Sequence, residues 1–186
     1  MNSKSKGSGY ERDVARLLSK WVTGNDEELI YWRDSGSGSV STIAKKKGKN
    51  AKGLDGDFLC VDTSEKSIEY KKILDIFFID AKCLGSIHLN LINPKNQKSN
   101  QLLQEIIEVF NNAQSSNKIP FLIVKATNDR KIQDFIILPV DVSCNFIQRI
   151  IYNIAYGENT YAIQLIQQDD FFKINDWKIF IESNIN

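Results

Sequence analysis

The stretch Ile73-Leu74-Asp75-Ile76-Phe77-Phe78-Ile79-Asp80-Ala81-Lys82-Cys83 decides how this 186-residue chain reads. It closes a long β-prone run that begins at Ile68, and the preceding residues 57–61, DFLCV, read as a strand that reaches it across a turn at Asp62 to Lys66. The two form an expected hairpin of sheet strands. Side chains alternate along a strand, so if Phe77, Ile79 and Ala81 enter the core, Asp80 and Lys82 share the opposite side. Asp57 opens the earlier strand after a turn at Gly56, which sets it beside Asp80 at the same end of an antiparallel pair. Two carboxylates and one ammonium then converge at the edge of a buried sheet.

Upstream, Tyr10, Val14, Leu17, Leu18 and Trp21 recur at helical spacing and predict an amphipathic helix over 8–22. Residues 29–33 (LIYWR) read as a strand, and 35–53 as a Ser, Gly and Lys-rich loop with five lysines in 45–52. Downstream, Leu102, Leu103, Ile106, Ile107, Phe110 and Ala113 mark a second helix. Pro120 then opens the strand FLIVKA, and FIIL follows at 135–138. Helix, three strands, helix, strand, strand is the order of an α/β domain, a mixed central sheet flanked by helices. Residues 1–139 read as this core. Residues 140–186 carry apolar segments with no long polar linker before them, and read as an extension packed on the same domain.

Composition narrows the chemistry. With 42% hydrophobic and 25% charged residues the chain can bury a core, which excludes disorder as its main state. A net charge of +1 argues against a polyanionic partner only on average: residues 1–100 hold 17 Lys and Arg against 13 acids, and residues 101–186 hold 7 against 10. A polyanion should meet the first half. His88 is the only histidine, so a metal site built on two histidines is excluded. Cys60, Cys83 and Cys144 are far apart and odd in number, and read as reduced, mostly buried thiols. No apolar run approaches a membrane span, the first residues lack the apolar stretch of a signal peptide, and no Walker-type phosphate loop is present; the chain reads as cytoplasmic.

The convergent acids have a use. Mg²⁺ prefers one or two carboxylates completed by phosphate and water oxygens, and Asp57 and Asp80, with the Ala81 backbone carbonyl, make such a set. A bound metal polarises a phosphoryl oxygen and lowers the pKa of water, while Lys82 balances developing negative charge. Mn²⁺ can substitute for Mg²⁺ in such a set.

An acid, then D-x-K on a strand, behind an acid-bearing helix, resembles the PD-(D/E)XK nuclease superfamily. KGSGYER at 6–12 and WRDSGS at 32–37 look like the N-terminal signature of Holliday junction resolvases and related phage nucleases. The resemblance covers roughly 5–127 and implies a restriction-endonuclease-like αβββαβ core and a Mg²⁺-dependent DNA endonuclease acting on branched or duplex DNA. It places Glu11 near the metal with Asp57 and Asp80, and makes Asp57, Asp80, Lys82 and Glu11 the catalytic set. It also implies phosphate contacts from Lys6, Arg33 and Ser35 or Ser37, and brings Lys125, at the end of SNKIPFLIVK, near the site. Beside such a site Lys45, Lys46, Lys47, Lys49 and Lys52 become a clamp for the DNA backbone. A junction resolvase is expected to be a homodimer, because a four-way junction needs two symmetric cuts.

The chain departs from the pattern in two places. Gly56 stands where the motif has proline, and Glu69-Tyr70-Lys71 offers a second acid and lysine only 12 residues after Asp57. Using Glu69 and Lys71 would turn Lys72 toward the core without a partner, which favours Asp80 and Lys82. Simpler roles also fit the residues one at a time. Ser8 to Glu11 matches a helix capping box, Asp80 and Lys82 match a surface ion pair, and Trp21 and Trp32 read as core. A non-catalytic DNA-binding or interaction module that retains the fold is the competing reading of the whole chain.

Overall fold

A computed structural model describes residues 3–34, 56–87, 89, 99–128 and 131–185. Helix α1 (Ser3–Thr23) buries Tyr10, Val14, Ala15, Leu18 and Val22 along one face, as its spacing predicts. It starts well before Ser8, so the capping-box role for Ser8 and Glu11 falls away and Glu11 sits on a continuous helix. Strands β1 (Tyr31–Arg33) and β2 (Phe58–Cys60) pair antiparallel as a separate ribbon, with Arg33 opposite Phe58 and Tyr31 opposite Cys60. Ser19 stitches α1 to β1. Its fully buried hydroxyl donates to the Ala15 carbonyl at 2.7 Å and accepts the N–H groups of Ile30 and Tyr31 at 3.0 and 2.9 Å.

The expected hairpin is not formed. Residues Ser67–Ile76 are helix α2, which runs directly into strand β3 (Phe77–Ser86). Tyr70 and Ile73 enter the core three residues apart, while Lys71, Lys72 and Asp75 stay outside, a helical period that the adjoining Phe-Phe-Ile run of β3 obscures. β2 therefore meets β3 without an antiparallel turn, through one parallel bridge between Gly56 and Ile79. The expected αβββαβ order acquires a helix between its second and third strands, and the mixed sheet with helical cover remains.

That sheet has the order β3-β4-β5-β7-β6, with β4 spanning Ile119–Asn128, β5 Lys131–Pro139, β6 Arg149–Tyr156 and β7 Asn159–Gln167. β3 and β4 are parallel and the other pairs antiparallel. The parallel pair needs a crossover, supplied by helix α3 (Gln101–Ser115), whose first turn is capped by the Asn100 side chain accepting the Leu103 N–H at 3.2 Å. α3 packs Leu102, Leu103, Ile106 and Ile107 on one face of the sheet with Phe78, Leu122 and Val124. The other face packs Phe77, Ile79, Ala81, Phe121 and Ile123 against α1 and against helices α4 (Gln168–Ile174) and α5 (Trp177–Glu182). Residues 149–182, from the stretch read as an extension, thus supply two of the five strands and part of that helical layer. Trp21 joins the layer, its indole N–H donating to the Asn175 carbonyl at 2.6 Å, whereas Trp32 is 38% exposed and is no core residue. No described helix is long and apolar enough to cross a membrane.

Candidate active site

Alternation along β3 is as expected: Phe77, Ile79 and Ala81 face the α1 layer, and Asp80 and Lys82 face α3. Asp57 reaches them because Gly56 lets β2 approach the edge of β3 away from β4. Gly56 has φ +117°, and a Cβ there would lie 2.5 Å from the Ile79 carbonyl oxygen. Proline, held near φ −65°, cannot adopt that conformation, which explains glycine at this position. The Asp57 N–H donates to the Ile79 carbonyl at 2.9 Å, and the Ala81 N–H donates to Asp57 Oδ2 at 3.0 Å. A residue's N–H and C=O lie on the same edge of a strand, so the Ala81 carbonyl also faces the edge that Asp57 occupies.

Asp80 is only 6% exposed, and Oδ1 has no hydrogen-bond partner among the described residues. Burial, and then the neighbouring Asp57 carboxyl, raise its pKa well above the ordinary aspartate value. With both carboxyls ionised, Oδ1 lies without a hydrogen bond beside a second negative charge. Lys82 offsets part of this with Nζ 3.1 Å from Asp80 Oδ2, and Glu105 on α3 approaches the same ammonium at 3.5 Å. Burial works against the lysine's charge, but Asp80, Glu105 and Asp57 overrule it and hold its pKa above the ordinary lysine value.

Glu11 stands at the α1 side of this group. Burial and then the charge of Asp57 raise its pKa, against Arg33, Lys82 and Arg12. Arg33 Nε lies 2.9 Å from Glu11 Oε2, an ionic contact in which neither atom finds hydrogen-bond geometry. The residue expected to contact phosphate is thus set against the residue expected near the metal.

Other candidates lie elsewhere. Glu69 is on α2 and pairs with Lys178 at 2.9 Å, and Lys71 is exposed on the same helix, so neither joins Asp57. Lys125 pairs in register with Cys83, one residue out of step with Lys82, and points to the opposite face of the sheet, its Nζ 5.7 Å from the centre of the Tyr10 ring. Cys83, expected buried, is exposed. Ser35, Ser37, Lys45, Lys46, Lys47, Lys49, Lys52 and His88 lie outside the described residues, as does the side chain of Lys6. Glu105 was absent from the sequence candidates, although it falls at helical spacing between Leu102 and Val109, an acid on an otherwise apolar stripe.

The group suits a hard divalent cation held by few protein ligands. Among the described residues no group of three or more His, Cys, Asp and Glu is placed to hold a metal ion, so Glu11, expected as a ligand with Asp57 and Asp80, does not complete such a set. Buried Asp80, with its orphaned oxygen, and half-buried Asp57 beside it are the residues that would hold a hard dication. The sequence model of a family described as "Phage putative PDDEXK endonuclease" matches residues 2–183. No curated protein and no solved structure matched the chain.

Proposed function

The chain belongs to this phage PDDEXK endonuclease family, within the PD-(D/E)XK superfamily, and from that premise we propose that it is a Mg²⁺-dependent endonuclease that hydrolyses DNA phosphodiester bonds at the Asp57, Asp80 and Lys82 site. The observation that carries the reading is the buried Asp80 carboxyl, its Oδ1 unpartnered among the described residues, next to half-buried Asp57 and beside an ammonium held charged. A buried carboxylate with one oxygen unpartnered is costly to keep ionised, and the Lys82 ammonium on Oδ2 offsets only part of that cost.

Asp57 and Asp80 would hold the metal, with the Ala81 carbonyl facing the same edge. When bound, Mg²⁺ supplies Lewis-acid polarisation of the phosphoryl oxygen and a more acidic water. Lys82, kept protonated by three carboxylates, balances negative charge that develops on the phosphate. Glu11 tunes the charge around Asp57 and is itself restrained by Arg33.

Within this class we read the preferred substrate as branched DNA cut by a two-fold dimer. Two symmetric cuts in a junction require two copies. The outermost strand β6 supports such pairing: it carries a single charged residue, Arg149, and exposes Ile150 and Ile151 beside exposed Ile147. The test is a cleavage panel of four-way junction, linear duplex, single-stranded DNA and RNA, in Mg²⁺ and in EDTA, with the mass in solution measured by light scattering. Paired cuts in the junction by a dimer support the whole reading. Metal-dependent cuts in all DNAs by a monomer keep the nuclease and remove the resolvase. No cleavage, with salt-sensitive binding retained, identifies the non-catalytic module.

A further inference from the structure

We infer that Glu105 is a positioning residue for Lys82, sharing its ammonium with Asp80 Oδ2 and drawing it toward α3, so that Asp80 Oδ1 stays open to a divalent cation. The inference rests on the nuclease reading of the site and adds a residue to it.

Lys82 has two anionic neighbours on different elements. Asp80 Oδ2 lies 3.1 Å from Nζ, and Glu105 Oε2 lies 3.5 Å away across the gap to α3. With Asp80 as its only anchor, the ammonium would rest on a carboxylate that a cation must occupy, and lysine and metal would compete for the same oxygens. A dication arriving there also repels the ammonium. An anion on the far side of Lys82 resolves both conflicts, since it holds the lysine without using the metal's ligands.

Glu105 is well placed for this. It stands in the second turn of a helix whose start is fixed by the Asn100 cap and whose apolar face, including Leu102, Ile106 and Val109, is fully buried. Its side chain is 20% exposed, so water screens the contact less than at the surface. A carboxylate placed on that stripe costs desolvation, which the pairing with Lys82 offsets.

The experiment compares wild type with Glu105→Ala, Glu105→Gln and Lys82→Ala in the full chain. Cleavage is measured as kcat and KM separately, and Lys82 accessibility as the rate of its acylation by an amine-reactive reagent in EDTA, followed by peptide mass spectrometry. Removing the Glu105 charge should lower kcat by about 10- to 100-fold, leave KM for DNA and the melting temperature near wild type, and speed acylation of Lys82 at least severalfold. Glu105→Gln keeps the side-chain volume and gives the same readings if Glu105→Ala unfolds. A kcat within about twofold of wild type, or unchanged Lys82 acylation, overturns the inference. If Lys82→Ala itself cleaves like wild type, the nuclease reading of the site fails instead; an inactive Lys82→Ala beside a fully active Glu105→Ala removes only the role of Glu105.

Discussion

The Ala81 N–H donates to Asp57 Oδ2 at 3.0 Å, binding residues 24 apart in the sequence at the edge of β3 away from β4. Together with the Asp57 N–H on the Ile79 carbonyl at 2.9 Å, this bond makes the backbone of β3 the template that orients the acid. The carboxylate is thereby delivered beside Asp80 without any side chain spent on holding it.

Gly56 is what permits that approach. Gly56→Ala introduces both a strained φ and a Cβ 2.5 Å from the Ile79 oxygen. The variant should lose about 1–3 kcal/mol of stability by chemical denaturation. At a temperature where it is folded, it should lose cleavage far more than DNA binding, because Asp57 is displaced.

The Asp80 shift sets a pH dependence. Its pKa is raised in the folded state, so the protonated form is bound more tightly there than in the unfolded chain. The stability this contributes is present below the unfolded value and lost as pH rises through the folded one. In EDTA the melting temperature should therefore fall as pH climbs from about 4 toward neutrality. Asp80→Asn should flatten the slope, and Mg²⁺ should restore wild-type stability at neutral pH. The same slope in Asp80→Asn would assign the dependence to other groups, Glu11 among them.

Glu11 and Arg33 form one partly buried unit. Each single change, Glu11→Gln or Arg33→Gln, leaves a charge without its counterion and should cost about 1–3 kcal/mol. The double variant should cost less than the two singles combined, a coupling measurable by urea denaturation.

Glu69 and Lys71 serve as the internal control for register. With Glu69 paired to Lys178 on the outside of α2, Glu69→Ala with Lys71→Ala should leave cleavage unchanged. The loss of stability should stay within about 1 kcal/mol by the same denaturation.

Residue types and alternation made much of the site legible. Phe77, Ile79 and Ala81 point inward, and Asp80 and Lys82 emerge together with Asp57 beside them. The route by which Asp57 arrives was not legible. α2 ends where β3 begins with no glycine, proline or polar break between Ile76 and Phe77, so helix and strand merged into one β-prone run. The parallel bridge at Gly56 depends on a close backbone approach that no local pattern encodes. Glu105 escaped for a related reason: an acid on an apolar stripe is visible, but its partner is fixed only by the packing of α3 against β3. Lys125 is expected near the site, and a single step of register sends its side chain to the face of the sheet opposite Lys82, since Lys82 stands opposite Val124.

The most direct test is Mg²⁺-dependent cleavage by Asp80→Asn and Lys82→Ala, each checked for melting temperature and for DNA binding in EDTA. Both should bind DNA like wild type and cut it at least about 100-fold more slowly. Wild-type cleavage by either variant would contradict the assignment of the reaction to this site.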